Sequence, residues 1–377
     1  MNNLMTFISL HEDWKNILSQ DPYNLIIKED PDLPNVFLFK YNQYASDMDN
    51  IICQEARGII LEIIGNNVKL LCHSFDKFFN YGEPQGAKTL ELFDFNHCTW
   101  QEKRDGSLLR IWYYKDKWRI STSGTIDANK ATIDIPSCKY KSFGDMFRNI
   151  FTTYDEDLDI LDYTYTYSFE MTSPDNKIVV DYENNELTLI GIRDNQLNKE
   201  LDPYTSNPFT NIKCADKFKF SNLASALENI NKRCNFEGLV LCDTSFRRVK
   251  VKTDEYLVLA KLTDETSSDR GILKLILEDK IDDIQNRLPH IEKRIENIRS
   301  FLRSEIEIIF LLYQQVDFTQ SRKDIALQLK GNPYSSFVFK RLGNPNYDFV
   351  EDYFKVDNLE KIYKTYKEKT GVKDIEE

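Results

Sequence analysis

The sequence predicts an α+β protein in which a domain of antiparallel sheets is followed by an all-helical C-terminal domain. Short apolar or alternating runs, typical of β-strands, fill the chain from about residue 35 to 260, with irregular spacing and helical inserts that favour antiparallel sheets. After about residue 260, apolar residues recur every three or four positions, which indicates helices. We therefore predict two domains, residues 1–257 and 258–377.

The first domain contains the predicted strands and two helical inserts. In chain order the predicted strands are NVFLFKY (35–41), RGIILEII (57–64), VKLLCHSF (68–75), SLLRIWYY (107–114), KWRIST (117–122), YSFEM (167–171), KIVVDY (177–182), ELTLIGIR (186–193), EGLVLC (237–242) and RRVKVK (247–252). The helical inserts are 141–154 and 221–234.

The second domain is expected to contain one long helix and several shorter ones. Apolar residues between Ile291 and Val316 define one face of the long helix, and Pro289 lies just before its start. Further helices are predicted at 271–288, 321–330 and 358–369, with breaks at 331–333 and 343–345.

Composition excludes several classes of protein. With 377 residues, 41% hydrophobic and 13% aromatic, the chain is too apolar to be disordered. The N-terminus lacks a basic start and a cleavage site, and no run approaches the roughly 18 apolar residues of a membrane span, so we expect an intracellular, cytoplasmic protein without a membrane partner. Seven scattered cysteines and four histidines favour neither a disulfide framework nor a zinc site.

The net charge of -12 argues against indiscriminate coating of nucleic acid, which needs broad neutralisation of phosphates. A local basic groove remains compatible with it. Cationic residues concentrate at KFKF (217–220) and RRVKVK (247–252), which either form such a groove or are solvated faces.

The segment KRDGS (103–107) is the clearest indication of chemistry. It has the K-x-D-G arrangement of enzymes that carry a nucleotide on a lysine. The amine of Lys103 can attack phosphorus only when unprotonated, so we expect a dry pocket or neighbouring cations that lower its pKa. Asp105 and Gly106 are turn formers, and glycine would let the chain bend close to a phosphate.

Four further stretches place charged residues at or beside strand ends. Arg57 opens RGIILEI and could grip phosphate bidentately, and Lys77 lies between aromatic residues in FDKFFNYGE. Glu170 and Glu237 lie at the ends of apolar strands and are candidates for metal or ribose binding. For each of these, an ordinary exposed position at a strand end is the alternative.

Lys250 and Lys252 alternate with valine in VKVK, so both lysines share one face of a strand. Like charges about 7 Å apart lower each other's proton affinity and would be tolerated beside a triphosphate. The alternative is the polar outer face of an amphipathic strand.

In order, RG, K-x-D-G, FE, EG and K-x-K match the motifs of the covalent nucleotidyltransferases. The surrounding words EARGIILE, DKFFNYGE, KRDGS, SFEMTSPDNKIV, FEGLV and VKVKTDEY resemble the RNA ligase 1 family of T-even bacteriophages, from about Phe39 to Tyr256. The segment SRKDIALQLKG (321–331) resembles that family's helical C-terminal domain. The resemblance implies an antiparallel-sheet nucleotidyltransferase domain, similar to ATP-grasp ligases, ahead of the helical domain.

The resemblance implies a role for each matching residue. Lys103 is the implied adenylated nucleophile in the K-x-D-G motif that includes Asp105 and Gly106. The remaining implied nucleotide contacts are Tyr41 in FKYN, Arg57, Lys77, Glu170, Glu237, Lys250, Lys252 and Tyr256.

A divalent metal is implied near Glu170 and Glu237, and a further metal carboxylate at Asp282, beside the equally available Asp283. The implied reaction is ATP-dependent joining of 5′-phosphate and 3′-hydroxyl RNA ends through lysyl-AMP and RNA-adenylate, with Mg²⁺ or Mn²⁺. Repair of cleaved tRNA or other single-stranded RNA by a monomeric enzyme is the implied setting.

Two departures from the family pattern concern neutral segments. Ser121-Thr122-Ser123-Gly124 stands where the family has a basic residue that contacts phosphate, and Arg119 or Lys130 could replace it. His73-Ser74 stands where the family has Arg-Pro, which changes how that loop is braced.

Three other functions remain open from the sequence. A DNA ligase or a capping guanylyltransferase shares the motifs, but normally continues into a β-rich OB-fold, whereas residues 260–377 indicate helices. A catalytically inactive RNA-binding relative would be consistent with the neutral segment at Ser123.

Overall fold

The computed structural model describes residues 2–43, 45–133, 138–278, 281, 291–344 and 347–372. The chain divides into two compact units, Met1–Leu257 and Val258–Glu377. Within the described part of the chain, no helix is both long and apolar enough to cross a lipid bilayer.

The first unit is built on fourteen strands among its described residues. They are β1 (Ile26–Glu29), β2 (Val36–Lys40), β3 (Arg57–Ile64), β4 (Asn67–Cys72), β5 (Phe79–Asn80), β6 (Thr99–Lys103), β7 (Ser107–Tyr113), β8 (Trp118–Thr122), β9 (Tyr165–Thr172), β10 (Glu186–Asp194), β11 (Lys199–Leu201), β12 (Lys217–Phe218), β13 (Gly238–Cys242) and β14 (Arg248–Lys252).

These strands form three sheets. Sheet 1 has the order β1-β2-β3-β4, sheet 2 the order β11-β10-β9-β7-β8, and sheet 3 the order β12-β6-β13-β14-β5. Every pairing is antiparallel except the short parallel contact between β14 and β5. The predicted α+β class with antiparallel sheets is therefore confirmed.

Helices cover the outer faces of these sheets. They are α1 (Asn3–Leu10), α2 (Trp14–Leu18), α3 (Ile51–Glu55), α4 (Pro84–Leu90), α5 (Phe143–Thr152), α6 (Pro203–Ser206) and α7 (Leu223–Ile230). Helix α5 contributes Phe147 and Ile150 to a core shared with Leu109 and Phe169 of sheet 2. Helix α7 packs Ala226 and Ile230 against the apolar face of sheet 3.

Alternation along the strands decides which residues remain for a functional site. In β14, Val249 and Val251 are fully buried against α7, so Lys250 and Lys252 point to the other face of sheet 3. In β7, Leu109 and Ile111 belong to the core under α5, whereas Leu108 and Arg110 point to the opposite face of sheet 2.

Helix α8 (Asp254–Thr266) runs across the boundary between the units. The second unit then contains α9 (Asp269–Leu277), α10 (Glu292–Gln315), α11 (Arg322–Gln328), α12 (Ser335–Gly343), α13 (Phe349–Tyr353) and α14 (Leu359–Thr370). Its described residues form helices and no strand, which confirms the predicted helical region. The long helix α10 buries Ile295, Ile298, Leu302 and Ile309 on the face that the sequence pattern indicates.

One predicted strand is wrong. Residues 178–180 form bends and residues 177, 181 and 182 have no regular secondary structure, although KIVVDY has a strong β pattern. The backbone N–H groups of Val179 and Val180 both donate to Oδ2 of Asp105, each at 2.8 Å. The Asp105 carboxylate, which is distant in sequence, thus accepts the hydrogen bonds that these N–H groups would otherwise donate to a neighbouring strand.

Candidate active site

A cavity of about 310 Å³ lies between the facing sides of sheets 2 and 3. Its lining includes eight of the predicted site residues: Arg57, Lys103, Asp105, Glu170, Glu237, Lys250, Lys252 and Tyr256. Among its lining residues, Lys and Arg outnumber Asp and Glu by six to four. The overall acidic chain therefore concentrates positive charge in this cavity, as an anionic ligand requires.

The neighbouring strands β6, β13 and β14 bring Lys103 and Lys252 next to Glu237. Gly238 of β13 lies between Lys103 of β6 and Lys252 of β14 in the strand register. Lys103 Nζ donates to Glu237 Oε2 at 2.8 Å, and Lys252 Nζ lies 3.1 Å from Glu237 Oε1. The position requires glycine because Gly238 has a φ of +148° and a Cβ atom there would lie 2.1 Å from the carbonyl oxygen of Val251.

The ionisation of Lys103 differs from the sequence expectation. Burial alone would lower the pKa of Lys103, but the carboxylates of Glu237 and Glu170 raise it above its ordinary value. The expectation that surrounding cations hold this amine unprotonated is therefore wrong for the ligand-free protein. Lys103 is an ammonium paired with Glu237, and its conversion to a free amine requires that this pair be disturbed.

Gly106 contacts protein backbone at the position where the sequence suggested an approach to phosphate. A Cβ atom at Gly106 would lie 2.3 Å from the carbonyl oxygen of Met171 in β9. This close approach lets the Gly106 N–H donate to Glu170 Oε1 at 3.1 Å. Burial raises the pKa of Glu170 to about 7, with Lys103 opposing and Glu237 reinforcing the effect.

Lys250 is the lysine whose pKa the cavity lowers. Burial, together with the positive charges of its neighbours, Arg57 foremost, lowers the pKa of Lys250 to about 7. Its Nζ atom lies 4.9 Å from the centre of the Phe78 ring. The cavity therefore disfavours the ammonium form of Lys250 near neutral pH far more than water does.

Arg57 offers an unused donor. Its Nη1 atom is buried and has no hydrogen-bond partner among the described residues, and its guanidinium carbon lies 4.8 Å from the Phe78 ring centre. Because a buried charged donor without an acceptor is costly, this group is suited to receive an anion.

Asp105 fixes the turn that follows Lys103. Besides accepting from Val179 and Val180, its carboxylate accepts from the Tyr256 hydroxyl through Oδ1 at 2.8 Å. Asp105 as a whole residue is only 4% exposed. In this arrangement Asp105 and Tyr256 position the loop.

Tyr41 and Lys77 do not line this cavity. Lys77 Nζ donates to the Tyr41 hydroxyl at 3.1 Å and lies 4.7 Å from the centre of its ring. Lys77 lines a neighbouring cavity of about 240 Å³ that shares Phe78 and Arg248 with the first. Its charge also contributes to the low pKa of Lys250.

The two neutral segments are accommodated by structural contacts. The carbonyl of Ser123 packs against Gly58, where a Cβ atom would lie 2.5 Å from the oxygen. Neither suggested basic replacement lines the cavity, since Arg119 donates to the Tyr114 carbonyl and Lys130 pairs with Asp32 at 2.6 Å. Neither residue therefore contributes a basic group to this cavity, and the suggested replacement stays a prediction.

The loop at His73-Ser74 is braced by its serine. Ser74 Oγ bonds Ser168 Oγ at 2.8 Å, and the Ser74 carbonyl accepts from Arg193 Nε at 3.3 Å. His73 is fully buried, and burial together with nearby arginines holds the pKa of its imidazole well below the usual value. His73 is therefore neutral and does not supply a phosphate-binding charge.

Only part of the expected metal site lies within the described residues. Glu170 and Glu237 both line the cavity, but no group of three or more His, Cys, Asp or Glu side chains suited to a metal occurs in the described ranges. Two carboxylates are nevertheless compatible with Mg²⁺, which often takes one or two carboxylates together with waters and substrate phosphates. Asp282 and Asp283 lie outside the described residues.

Sequence reasoning missed Arg248 and Arg104. Arg248 lines both cavities, and Arg104 lies 4.5 Å from the Tyr182 ring centre at the cavity wall. The alternation in RRVKVK could have identified Arg248, because residues 248, 250 and 252 share one face of β14. The stacking of Arg104 on Tyr182 joins distant segments and has no local sequence signal.

Comparison with known proteins identifies the family. The model of a family described as RNA ligase matches residues 55–256, more than half of the chain and the whole span of the cavity residues. The chain belongs to this RNA ligase family. The six motifs quoted from the sequence lie within or at the edge of the matched range.

Two relatives of this RNA ligase family member match most of its length. An RNA ligase of Rhodothermus phage RM378 is 26% identical, with 82% of this chain and 85% of the relative covered. A protein of Autographa californica nuclear polyhedrosis virus named as a bifunctional polynucleotide kinase/RNA ligase is 24% identical over 87% of this chain. The chain spans about half the length of that viral relative, 48%.

Similar solved structures include an archaeal ATP-dependent RNA ligase and an RNA ligase of Naegleria gruberi with ATP and Mn. The archaeal protein is 13% identical with a TM-score of 0.46, covering 76% of this chain and 78% of that one. The Naegleria protein is 14% identical with a TM-score of 0.38, covering 50% and 58%. The family assignment rests on the sequence match and not on these superpositions.

Proposed function

We propose that this protein is an ATP-dependent RNA ligase that joins 5′-phosphate and 3′-hydroxyl RNA ends, with residues 1–257 as the adenylyltransferase domain and 258–377 as a helical C-terminal domain. The observation that carries the proposal is Lys103 at the end of β6, inside a cation-rich cavity within the segment that matches the RNA ligase family.

In the first step Lys103 Nζ attacks the α-phosphorus of ATP. A nitrogen–phosphorus bond forms, the bond to the bridging oxygen breaks, and pyrophosphate leaves. The Lys103 ammonium must first break its pair with Glu237 and release its proton to solvent, and the cations Arg57 and Lys250 favour this loss because neighbouring positive charge lowers the pKa of a lysine. These cations also stabilise the negative charge that develops during transfer.

In the second step an oxygen of the RNA 5′-phosphate attacks the same phosphorus, which breaks the nitrogen–phosphorus bond and regenerates Lys103. The 3′-hydroxyl of the other RNA end then attacks the 5′-phosphorus, and AMP leaves. Glu170 and Glu237 are the residues that would hold Mg²⁺ or Mn²⁺, which would neutralise phosphate charge when bound. The roles proposed for Tyr41, Lys77, Lys252 and Tyr256 are binding the nucleotide and maintaining the site.

Labelled ATP tests the proposal directly. The protein is incubated with α-labelled ATP and Mg²⁺ and then denatured, and we expect acid-labile label on the chain that is absent from Lys103→Ala. Lys232→Ala is the matched control, because this exposed lysine lies outside the cavity and pairs, among the described residues, with its helical neighbour Glu228. Label that persists in Lys103→Ala would falsify the mechanism.

The same assay separates the alternatives. Transfer from labelled GTP in preference to ATP would indicate a capping guanylyltransferase, and sealing of nicked DNA in preference to RNA would indicate a DNA ligase. A complete lack of label would favour an RNA-binding relative without catalysis. The helical second unit disfavours the first two, since its described residues contain no β-rich OB-fold.

The proposed setting is the repair of cleaved tRNA, or of other single-stranded RNA ends, by a monomer in the cytoplasm. The family resemblance supports this part of the proposal. Faster joining of a tRNA cleaved in its anticodon loop than of unstructured RNA ends would support tRNA as the substrate, and sedimentation of the active protein at its monomer mass of 44.4 kDa would support the monomer.

A further inference from the structure

A second and larger cavity, of about 440 Å³, lies on the other face of sheet 2. On β7, Leu108 lines the first cavity and Ile111 lines the second. Because residues three apart on a strand point to opposite faces, the sheet separates the two cavities. The larger cavity is therefore not an extension of the proposed nucleotide site, and it has no role in the mechanism described above.

The interior of this cavity is mainly apolar and partly aromatic. Its apolar lining includes Leu33, Ile111, Trp118, Ile126, Phe147 and Phe151. A volume of this size falls within the range of small-molecule sites, and aromatic side chains favour flat ring systems. These walls fit a ligand with apolar faces.

The polar lining offers both donors and acceptors at the edge of such a ring. Arg119 uses Nε to bind the Tyr114 carbonyl, and no described residue bonds its two terminal nitrogens. Arg148 donates to Asn129 Oδ1, which holds it at the lining. Carboxylates outnumber these guanidinium groups by three to two among the lining residues. This balance disfavours a free phosphate and favours an uncharged ligand with hydrogen-bonding edges.

Asp30 gives the cavity a selective acceptor. Its side chain belongs to a residue that is only 6% exposed, and Oδ1 accepts from the backbone N–H of Asp32 at 2.8 Å. No other donor to this carboxylate occurs among the described residues. Since a buried carboxylate is stabilised by additional donors, an amino group on the ligand would complete its hydrogen bonding.

We propose that this cavity binds a base of the RNA substrate and prefers bases with an exocyclic amino group over uracil. Cytosine and uracil differ at one position, where cytosine carries an amine donor and uracil a carbonyl acceptor. Asp30 accepts from the amine and repels the carbonyl. The assignment of the ligand to RNA rests on the proposed function.

The test measures binding of fluorescent hexacytidylate and hexauridylate with 5′-hydroxyl ends, in the absence of ATP, so that no joining occurs. One charge-assisted hydrogen bond is expected to make hexacytidylate bind about tenfold more tightly. In Asp30→Asn the ratio should fall to about one or reverse, because the amide can donate to the uracil carbonyl. In Thr152→Trp, a large side chain at an exposed lining position should remove the preference by filling the cavity.

Equal affinity for the two oligonucleotides, or a preference that Asp30→Asn leaves unchanged, would overturn the proposal. Free cytidine and uridine form a second arm, and a preference confined to the free nucleosides would assign the cavity to a nucleoside and overturn the RNA assignment. Lysyl-AMP formation, measured on the same preparations without RNA, reports separately on the proposed adenylation. If no lysyl-AMP forms, the ratio of the two binding affinities still decides whether the cavity has the proposed base preference.

Discussion

At the scale of single residues, Lys250 shows how strongly this cavity disfavours a positive charge that is surrounded by other cations. Its pKa of about 7 results from burial among cations without an anion to balance them. Arg57, with a buried donor that has no partner in the described ranges, has the same requirement. Both groups are therefore suited to an anionic ligand such as the proposed polyphosphate, because burying positive charge without an anion reduces the stability of the protein.

The first prediction concerns protons taken up when ATP binds. Above about pH 7, Lys250 is mostly neutral in the free protein, and a bound triphosphate favours its ammonium form. We expect ATP binding without metal to take up close to one proton at pH 8 and progressively less below pH 7. Calorimetry in buffers of different ionisation enthalpy measures this number, and Lys250→Arg, which is always charged, should reduce it. Equal uptake in both proteins would contradict the assignment.

The second prediction concerns stability. Because the pKa of Lys250 is lowered in the folded state, the folded protein binds fewer protons than the unfolded chain between about pH 7 and 10.5, so its stability rises with pH in that window. Lys250→Met should therefore raise the free energy of unfolding at pH 7, by on the order of 1 to 3 kcal/mol. The gain should shrink towards pH 10, as urea unfolding at several pH values can measure. Lys252→Met, which would break the contact with Glu237, should not show the same gain.

At the scale of elements, the turn after Lys103 and the segment 177–182 depend on each other. The Asp105 carboxylate accepts hydrogen bonds from Val179, Val180 and Tyr256. The backbone N–H of Asp105 donates to the Tyr182 hydroxyl at 2.9 Å. Local pattern predicted a strand at 177–182, since Ile178, Val179 and Val180 favour one. The outcome was decided by a residue more than 70 positions away, which no local pattern encodes.

The third prediction follows from this dependence. Asp105→Ala removes three hydrogen bonds and should release segment 177–182, increasing its cleavage in limited proteolysis and slowing lysyl-AMP formation by at least tenfold. Asp181→Ala is the control within the same segment, because in the described part of the chain its exposed carboxylate pairs with Lys177 of that segment and with no other side chain. Equal cleavage of the two variants would show that Asp105 does not hold the segment.

The sequence could predict the elements whose patterns are strong and local. Alternation in VKVK placed Lys250 and Lys252 on the face opposite the core, and the three-four spacing after Ile291 placed α10 within a residue of its ends. The sequence could not predict which of the cavity lysines would have a lowered pKa. That depends on Glu237 being placed between Lys103 and Lys252 by the register of three strands, whereas Lys250 faces other cations.

At the scale of the whole molecule, every residue that lines the candidate active site falls between Arg57 and Tyr256. The second unit has its own apolar core, built from α9, α10 and α14 among other helices. The proposed adenylation can therefore be tested on the first unit without the second.

The fourth prediction is that a fragment of residues 1–266, which keeps α8 intact, forms lysyl-AMP at a rate within about tenfold of the full chain. Label transfer from ATP measures this rate. The matched fragment carrying Lys103→Ala should take up no label, which excludes contaminating enzymes. A folded 1–266 fragment that cannot be labelled would show that the second unit is needed for adenylation.

The pairing of Lys103 with Glu237 has a consequence for how such an enzyme survives between reactions. A lysine amine held permanently unprotonated would react with the acyl phosphates and cyanate present in any cell, and the resulting acylation or carbamoylation would block it irreversibly. As an ammonium at 2.8 Å from a carboxylate, Lys103 has no lone pair to offer these electrophiles. The resting protein thus holds this amine in a chemically inert form, which becomes reactive only when the pair with Glu237 is broken and the proton is lost.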